Sequence, residues 1–302
     1  MKNQIVVAAL YQFRSLANPE VVKEQLLNLC SRQNIKGTLL IGFEGINGTV
    51  AGARASIDKL QDTLVALGFD KLNYKESFCD AVPFLRLKVK VKKEIVTIGD
   101  TSVDPQKTVG KYVNAKQWNE LLADPDVLVI DTRNDYEVAI GKFIGAINPN
   151  TENFREFPAY VQNNLSDKKH KKVAMYCTGG IRCEKASSYM LAEGFAEVYH
   201  LQGGILQYIK DTDAKNSKWQ GDCFVFDERV ALDQNLEPSE HQQCYGCRHP
   251  LSVAEWQHEA NIPGVCCVYC VDKTTHEQKQ RYAQRQKQIE LAKSRGENHL
   301  AS

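Results

Sequence analysis

The stretch Cys177-Thr-Gly-Gly-Ile-Arg-Cys183 decides the reading of this chain. It follows Lys171-Lys-Val-Ala-Met-Tyr176, whose apolar part reads as a short buried strand. It precedes Glu184-Lys-Ala-Ser-Ser-Tyr-Met-Leu-Ala-Glu-Gly194, which reads as a helix stopped by a glycine. Cys177 therefore stands at the C-terminal end of a strand, facing a loop that runs into a helix N-terminus. Thr178-Gly179-Gly180 lets the backbone curl with N–H groups inward, the geometry of an anion-binding nest. Those dipoles and Arg182 favour a thiolate or a bound anion, so Cys177 is expected to have a lowered pKa and to be nucleophilic. A lone cysteine is ordinarily a buried structural thiol. Strand, Cys, two glycines, Arg and helix in a single register argue for the reactive alternative.

Spacing separates two chemistries. Four residues, Thr178 to Ile181, lie between Cys177 and Arg182, one fewer than a cysteine phosphatase loop uses to wrap a phosphoryl group. The shorter cradle suits a smaller cargo, such as a persulfide sulfur on Cys177, and disfavours phosphatase activity.

At 302 residues the chain has room for two domains and a small module. Its 43% hydrophobic and 25% charged content are those of an ordinary soluble protein. A net charge of only +1 means that any nucleic-acid surface must come from local asymmetry. Five of the ten cysteines crowd into residues 244–270 and the others are scattered, a usage that points to a reducing cytosol and a cytoplasmic location. The apolar run Ile5–Leu10 is too short for a signal segment and continues as a strand, and no stretch approaches the length of a membrane span.

Residues 1–100 alternate strand and helix patterns. Ile5–Phe13 reads as β, and Asn18-Pro19-Glu20 opens a helix with Val22, Leu26, Leu29 and Cys30 on one face. Lys36–Phe43 and Thr49–Ala51 read as strands with Asn47-Gly48 as the turn between them. Ile57, Leu60, Leu64 and Leu67 mark a second helix, and further strands are expected near 70–78 and 84–98. The order β-α-β-β-α-β is that of a ferredoxin-like α+β domain. In the last strand, Arg86, Lys88, Lys90 and Lys92 alternate with aliphatics, which puts four cations on one face. Such a row protects an edge strand from pairing, and it also suits a phosphate backbone.

Residues 101–122 read as a connector ending in a short helix, and 123–217 as a second domain. Its strands Val127–Ile130 and Val173–Tyr176 are continuous apolar runs, the mark of a parallel sheet covered on both faces. Residues 218–302 form a Cys-rich module and a basic helical tail. Cys244-x-x-Cys247 and Cys267-x-x-Cys270, nineteen residues apart, can close a tetrahedral four-thiolate site, which favours structural zinc with iron as the alternative. Cys266 is spare, and the x-x spacing favours Cys267. Thr274-Thr275-His276-Glu277 reads as the cap of a polar helix to about Arg295. Seven Lys/Arg against three Glu over 273–302 make that helix a solvated tail or an RNA contact.

The residues Val127-Leu-Val-Ile-Asp-Thr-Arg133, Glu137, Gly141, Gly145-Ala-Ile-Asn148, the Cys177 loop and His200-Leu-Gln-Gly-Gly-Ile205 together resemble a rhodanese domain. With Gly45-Ile-Asn-Gly48, CTGGIRCEKAS, Phe224-Val-Phe-Asp-Glu-Arg229 and the cysteine pairs, nearly the whole chain resembles the oxygen-dependent tRNA uridine hydroxylase (TrhO) family. The resemblance implies a tRNA-modifying oxidoreductase that converts wobble uridine to 5-hydroxyuridine, with tRNA and molecular oxygen as partners and Cys177 essential. No organic cofactor motif is evident. A rhodanese-type sulfurtransferase and a non-enzymatic RNA-binding adaptor are the alternatives, and the reactive loop argues against the adaptor.

Within this reading Arg182 and the loop residues Thr178, Gly179 and Gly180 stabilise a developing anion. Cys183 either resolves an oxidised Cys177 or packs, with packing preferred. Asp131 and Arg133 are expected to form a charge pair bracing the loop. Lys142 and Tyr208 depart from the general rhodanese pattern, which has His and Trp there, and both are expected near the surface, where they would alter substrate choice.

Overall fold

The computed structural model describes residues 4–295. Alternation along β1 (Ile5–Phe13) buries Val6, Ala8 and Leu10 on one face. Helix α1 (Pro19–Arg32) is capped by the Asn18 side chain, which accepts from the Val21 N–H at 3.3 Å. Its Val22, Leu26 and Cys30 meet Ile57, Leu60 and Leu64 of α2 (Arg54–Ala66) over that same sheet face. Each large aliphatic buried there contributes about 1.5–3 kcal/mol. With β2 (Lys36–Gly42), β3 (Gly45–Gly52) and β4 (Asn73–Cys79) the strands run in the order β4-β1-β3-β2, the ferredoxin-like arrangement.

Three local features differ from expectation. Asn47-Gly48 lies inside β3, because Gly42 pairs with Gly45 and the turn falls at Phe43-Glu44. Gly45 holds φ +140°, and a Cβ on it would lie 2.0 Å from the Gln12 carbonyl oxygen, so glycine is required there. The strand expected near 84–98 is β5 (Leu87–Val91) alone, a fifth strand added parallel to β2 at the sheet edge. Arg86 and Lys92 flank it rather than belong to it.

Residues 101–122, read as a connector, supply an edge strand of the next sheet, β6 (Lys111–Val113), and the start of α3 (Ala115–Ala123). The parallel sheet runs β6-β10-β9-β7, with β7 (Val127–Asp131), β9 (Lys172–Tyr176) and β10 (Glu197–Leu201). Between β7 and β9 come α4 (Asp135–Val138), β8 (Gly141–Phe143) and α5 (Phe157–Asn164). Helices α5 and α6 (Ile181–Ala192) cover one face, and α3 and α7 (Gly204–Asp211) the other. Tyr208 is buried, not near the surface: its ring packs edge-on to Phe143 at 4.7 Å and its hydroxyl donates to Asn119 Oδ1 at 2.8 Å. Helix α7 is amphipathic, and position 208 falls on its inner stripe. Lys142 is exposed.

Beyond it, β11 (Trp219–Gly221) pairs with β8, and β12 (Cys223–Phe224) with β13 (Ala231–Leu232). The C-terminal module holds β14 (Gln242–Gln243), β15 (Pro250–Leu251) and α8 (Val253–Trp256) around Leu251, Val265 and the cysteines. The polar helix α9 (His276–Ser294) is capped reciprocally by Thr275 and Gln278. It is docked rather than free: Tyr282 packs on the module, and Arg285 donates to the Tyr245 and Gly264 carbonyls at 3.0 Å. The last residues of the basic tail, 296–302, lie outside the described residues. No helix among the described residues is long and apolar enough to cross a membrane.

Candidate active site

Three strand ends meet at the C-terminal edge of the parallel sheet, where such folds place their chemistry. Thr132 follows β7, the Cys177 loop follows β9, and Gly203-Gly204 follows β10. The third end closes on the second: the N–H groups of Ile205 and Leu206 donate to the carbonyls of Cys177 and Thr178 at 2.9 and 3.2 Å. Gly204 sits at φ +68° with its Cα face against those carbonyls, and a Cβ there would lie 2.4 Å from the Cys177 oxygen.

Cys177 is buried, and the Gly180 N–H donates to its Sγ at 3.1 Å. Burial alone would push this thiol up. The Cys183 side chain, the Arg182 charge and the N–H groups of Cys183 and Gly180 outweigh it and bring the Cys177 pKa below the ordinary thiol value. Cys183 moves the opposite way, raised by burial and by the Cys177 sulfur, with Thr132 Oγ1 at 3.5 Å from its Sγ. It is fully buried and helps hold the thiolate.

Arg182 does not stand free to receive an anion. Its guanidinium forms a two-pronged pair with Glu137 at 2.6 and 2.8 Å, and Glu137 is fully buried. Arg182 also reaches Thr178 Oγ1 at 3.4 Å, and Thr178 Oγ1 lies 3.3 Å from Glu137. Gly179 opens on empty space. Asp131 and Arg133 do pair, at 2.7 Å and fully buried, but Arg133 spends its other donors on the Glu137 and Gly141 carbonyls. The pair braces the β7–α4–β8 turn and reaches the reactive loop through Glu137 and through Tyr176, whose ring centre lies 5.7 Å from the Arg133 guanidinium.

Sequence reasoning missed the roof over this loop. Odd-numbered residues of β1 and β4 point away from α1 and α2, and that helix-free face covers the Cys177 loop. Tyr11 donates to Glu184 Oε1 at 2.7 Å, and Asn73 donates to the Tyr11 hydroxyl at 3.1 Å. Lys75 donates to Asn73 Oδ1 at 2.6 Å and to the Gly179 carbonyl at 3.2 Å. Burial pushes the Lys75 amine down to about 8, against the pull of the Cys177 and Glu184 charges. Burial raises the Glu184 carboxyl, opposed by bonds from Tyr11 and Tyr112. Lys75 also lines a cleft of about 380 Å³ with Asn73, Gln202 and Gln207. Behind the loop, Lys185 is fully buried between Glu44 (2.8 Å) and Glu94 (2.5 Å), which ties α6 to the first unit.

Lys88 and Lys90 of β5 and the flanking Arg86 and Lys92 run along the far edge of that sheet. Arg86, Lys90 and Lys92 are exposed, and Lys88 is half-buried with its pKa lowered by burial and by Arg86, Lys90 and Arg248. Arg248 of the C-terminal module is thus near enough to Lys88 for its charge to be felt there.

Cys244, Cys247, Cys267 and Cys270 converge, with every Sγ within 4.8 Å of the others. Neighbouring sulfurs stand 3.7–3.9 Å apart. A tetrahedron of thiolates around zinc at about 2.3 Å requires about 3.8 Å between sulfurs, so the four fit such an ion. Cys266 turns away toward the Ala260 carbonyl.

Comparison with known proteins bears on this arrangement. Residues 5–95 match the model of the UPF0176 acylphosphatase-like domain, and residues 114–211 that of the rhodanese-like domain. Similar solved structures include a rhodanese-like domain from Anabaena sp. (19% identity, 36% of this chain and 78% of that one, TM-score 0.31). A rhodanese-related protein from Thermoplasma volcanium (22%, 33% and 92%, 0.28) and a single-domain sulfurtransferase from Saccharomyces cerevisiae (17%, 34% and 92%, 0.29) are others. The chain thus carries a UPF0176 acylphosphatase-like domain followed by a rhodanese-like domain, a tandem that matches the UPF0176 (TrhO) family of the rhodanese superfamily.

Proposed function

We propose that the protein is a cytoplasmic tRNA-modifying enzyme that hydroxylates wobble uridine at C5 with molecular oxygen, Cys177 acting as the nucleophile. The observation that carries this reading is a thiolate-favouring Cys177 under a roof that places the Lys75 amine on the same loop. Uracil C5 is weakly nucleophilic. A thiolate that adds at C6 moves electron density to C5, where one oxygen atom of O2 is then taken up. Loss of the C5 proton and expulsion of the thiolate restore the ring. The second oxygen atom leaves as water, with two electrons and two protons from an external thiol reductant. The Gly180 N–H and the Lys75 ammonium hold the sulfur anionic at both ends of this cycle.

The β5 cations Arg86, Lys88, Lys90 and Lys92, with Arg248, would track the phosphate backbone. The cysteine cluster would hold structural zinc, since four sulfurs leave no open position. A second reading, sulfur transfer through a Cys177 persulfide, is favoured by the short loop alone.

Purified protein is incubated with unmodified tRNA, with and without air, and the nucleosides are analysed. The hydroxylase reading requires a uridine product heavier by one oxygen atom that forms only in air. A thiolated product, or none, rejects it.

A further inference from the structure

We infer that Phe226 is the stacking residue that seats the target nucleobase at the rim of the Cys177 loop, a role that rests on the RNA-modifying reading above. The ring is 60% exposed although everything around it is fixed. Phe224, buried, meets it edge-on at 5.1 Å, and the Val225 N–H donates to the Val230 carbonyl at 2.9 Å. Asp227 and Arg229 pair at 2.6 Å, and Arg229 reaches Ser77 of β4 at 2.8 Å, so the segment is clamped to the first unit as well. An exposed aromatic is unremarked by itself. Its position is the point: the Arg182 guanidinium lies 5.9 Å from the ring centre, and Arg182 belongs to the Cys177 loop. The guanidinium covers one face of the ring, so a planar ligand takes the other, open face and stands at the rim of the Cys177 loop.

The aromatic rim continues away from the loop. Phe224 packs edge-on to Tyr136 at 5.3 Å, Tyr136 lies 6.0 Å from His249, and His249 stacks on Tyr269 at 3.7 Å. Tyr269, at the far end, is 42% exposed, and Arg248 is exposed beside His249. An aromatic row with open ends and a flanking cation suits splayed bases of a single strand. A small sulfur oxyanion would gain nothing from it. The occupant is thus a nucleobase turned out of an RNA loop.

The test compares full-length wild type, F226A, F226L and F226W on unmodified tRNA, following hydroxylated product and, separately, tRNA binding. F226A and F226L are expected to lose roughly ten- to a hundredfold in kcat/KM, the worth of one base–aromatic stack. F226W should retain activity, and the salt dependence of tRNA binding should be unchanged in all variants because the phosphate contacts are untouched. The thermal midpoint should not move, since the ring is largely in water. Wild-type turnover in F226A or F226L overturns the stacking role and leaves the hydroxylase reading intact. Absence of product from wild type itself removes both.

Discussion

Lys75 reaches across 104 residues of sequence to the carbonyl of Gly179, so a strand of the first unit touches the loop that carries the thiol of the second. The amine, held down to about 8 by burial, is an ammonium below that pH and neutral above it. Its positive charge beside the anionic species of the cycle is therefore present at neutral pH and lost as pH rises through about 8. Turnover should fall on that alkaline side in wild type. In K75M the alkaline fall should vanish, and the acid limb of Cys177 alkylation should move to higher pH by about one unit. A K75M profile that superimposes on wild type from pH 6 to 9 sinks the assignment.

Cys177→Ser should abolish turnover and leave circular dichroism unchanged, since a hydroxyl is nearly isosteric and far less nucleophilic. Cys183→Ala removes a donor from the thiolate and should shift the acid limb of Cys177 alkylation to higher pH while retaining substantial turnover. Turnover as low as in Cys177→Ser would make Cys183 a resolving thiol instead.

The Arg182–Glu137 pair is buried, so neither partner can be removed quietly. Glu137→Gln leaves Arg182 without a counter-charge and should cost about 3–5 kcal/mol of stability. Arg182→Lys cannot reproduce the two-pronged contact and should also cut turnover severely. Chemical denaturation of both, with the Glu137→Gln/Arg182→Met double variant, tests the coupling: the double should be less destabilised than the two singles summed.

If the four cysteines hold zinc, purified protein should contain about one equivalent of metal. Chelation should then open residues 240–295 to protease while the two α/β units stay protected, because the module's apolar core is little more than Leu251, Val265 and the sulfurs themselves. Metal-free protein with unchanged proteolysis would mean that the cysteines serve another purpose.

Local signals were readable and long-range ones were not. The strand–Cys–Gly–Gly–Arg–helix register and the paired x-x cysteine spacings each lie within a few residues, and the structure brings those thiols where the spacing puts them. Period two put Arg86, Lys88, Lys90 and Lys92 on one face, but no pattern said that the helix-free face of β1 and β4 covers the Cys177 loop. Lys75 reaches Gly179 and Tyr11 reaches Glu184 through contacts 104 and 173 residues apart. Glu137 carried a weak signal, an acid four residues past Arg133 in an apolar neighbourhood. Asn47-Gly48 misled because close backbone approach and a tight turn both call for glycine. At Gly48 the approach won: a Cβ would lie 2.1 Å from the Thr38 carbonyl oxygen.

The burial of Lys185 between Glu44 and Glu94 has a bearing on inheritance. A polypeptide starting near residue 110 would keep the entire parallel sheet and the Cys177 loop, yet would lose both carboxylates and the cover they give Lys185. Within the whole chain the ammonium stays buried, so losing a carboxylate there would leave a charge that costs about 3–5 kcal/mol. A change at Glu44 or Glu94 is therefore expected to be answered in α6, and the two units to be inherited together.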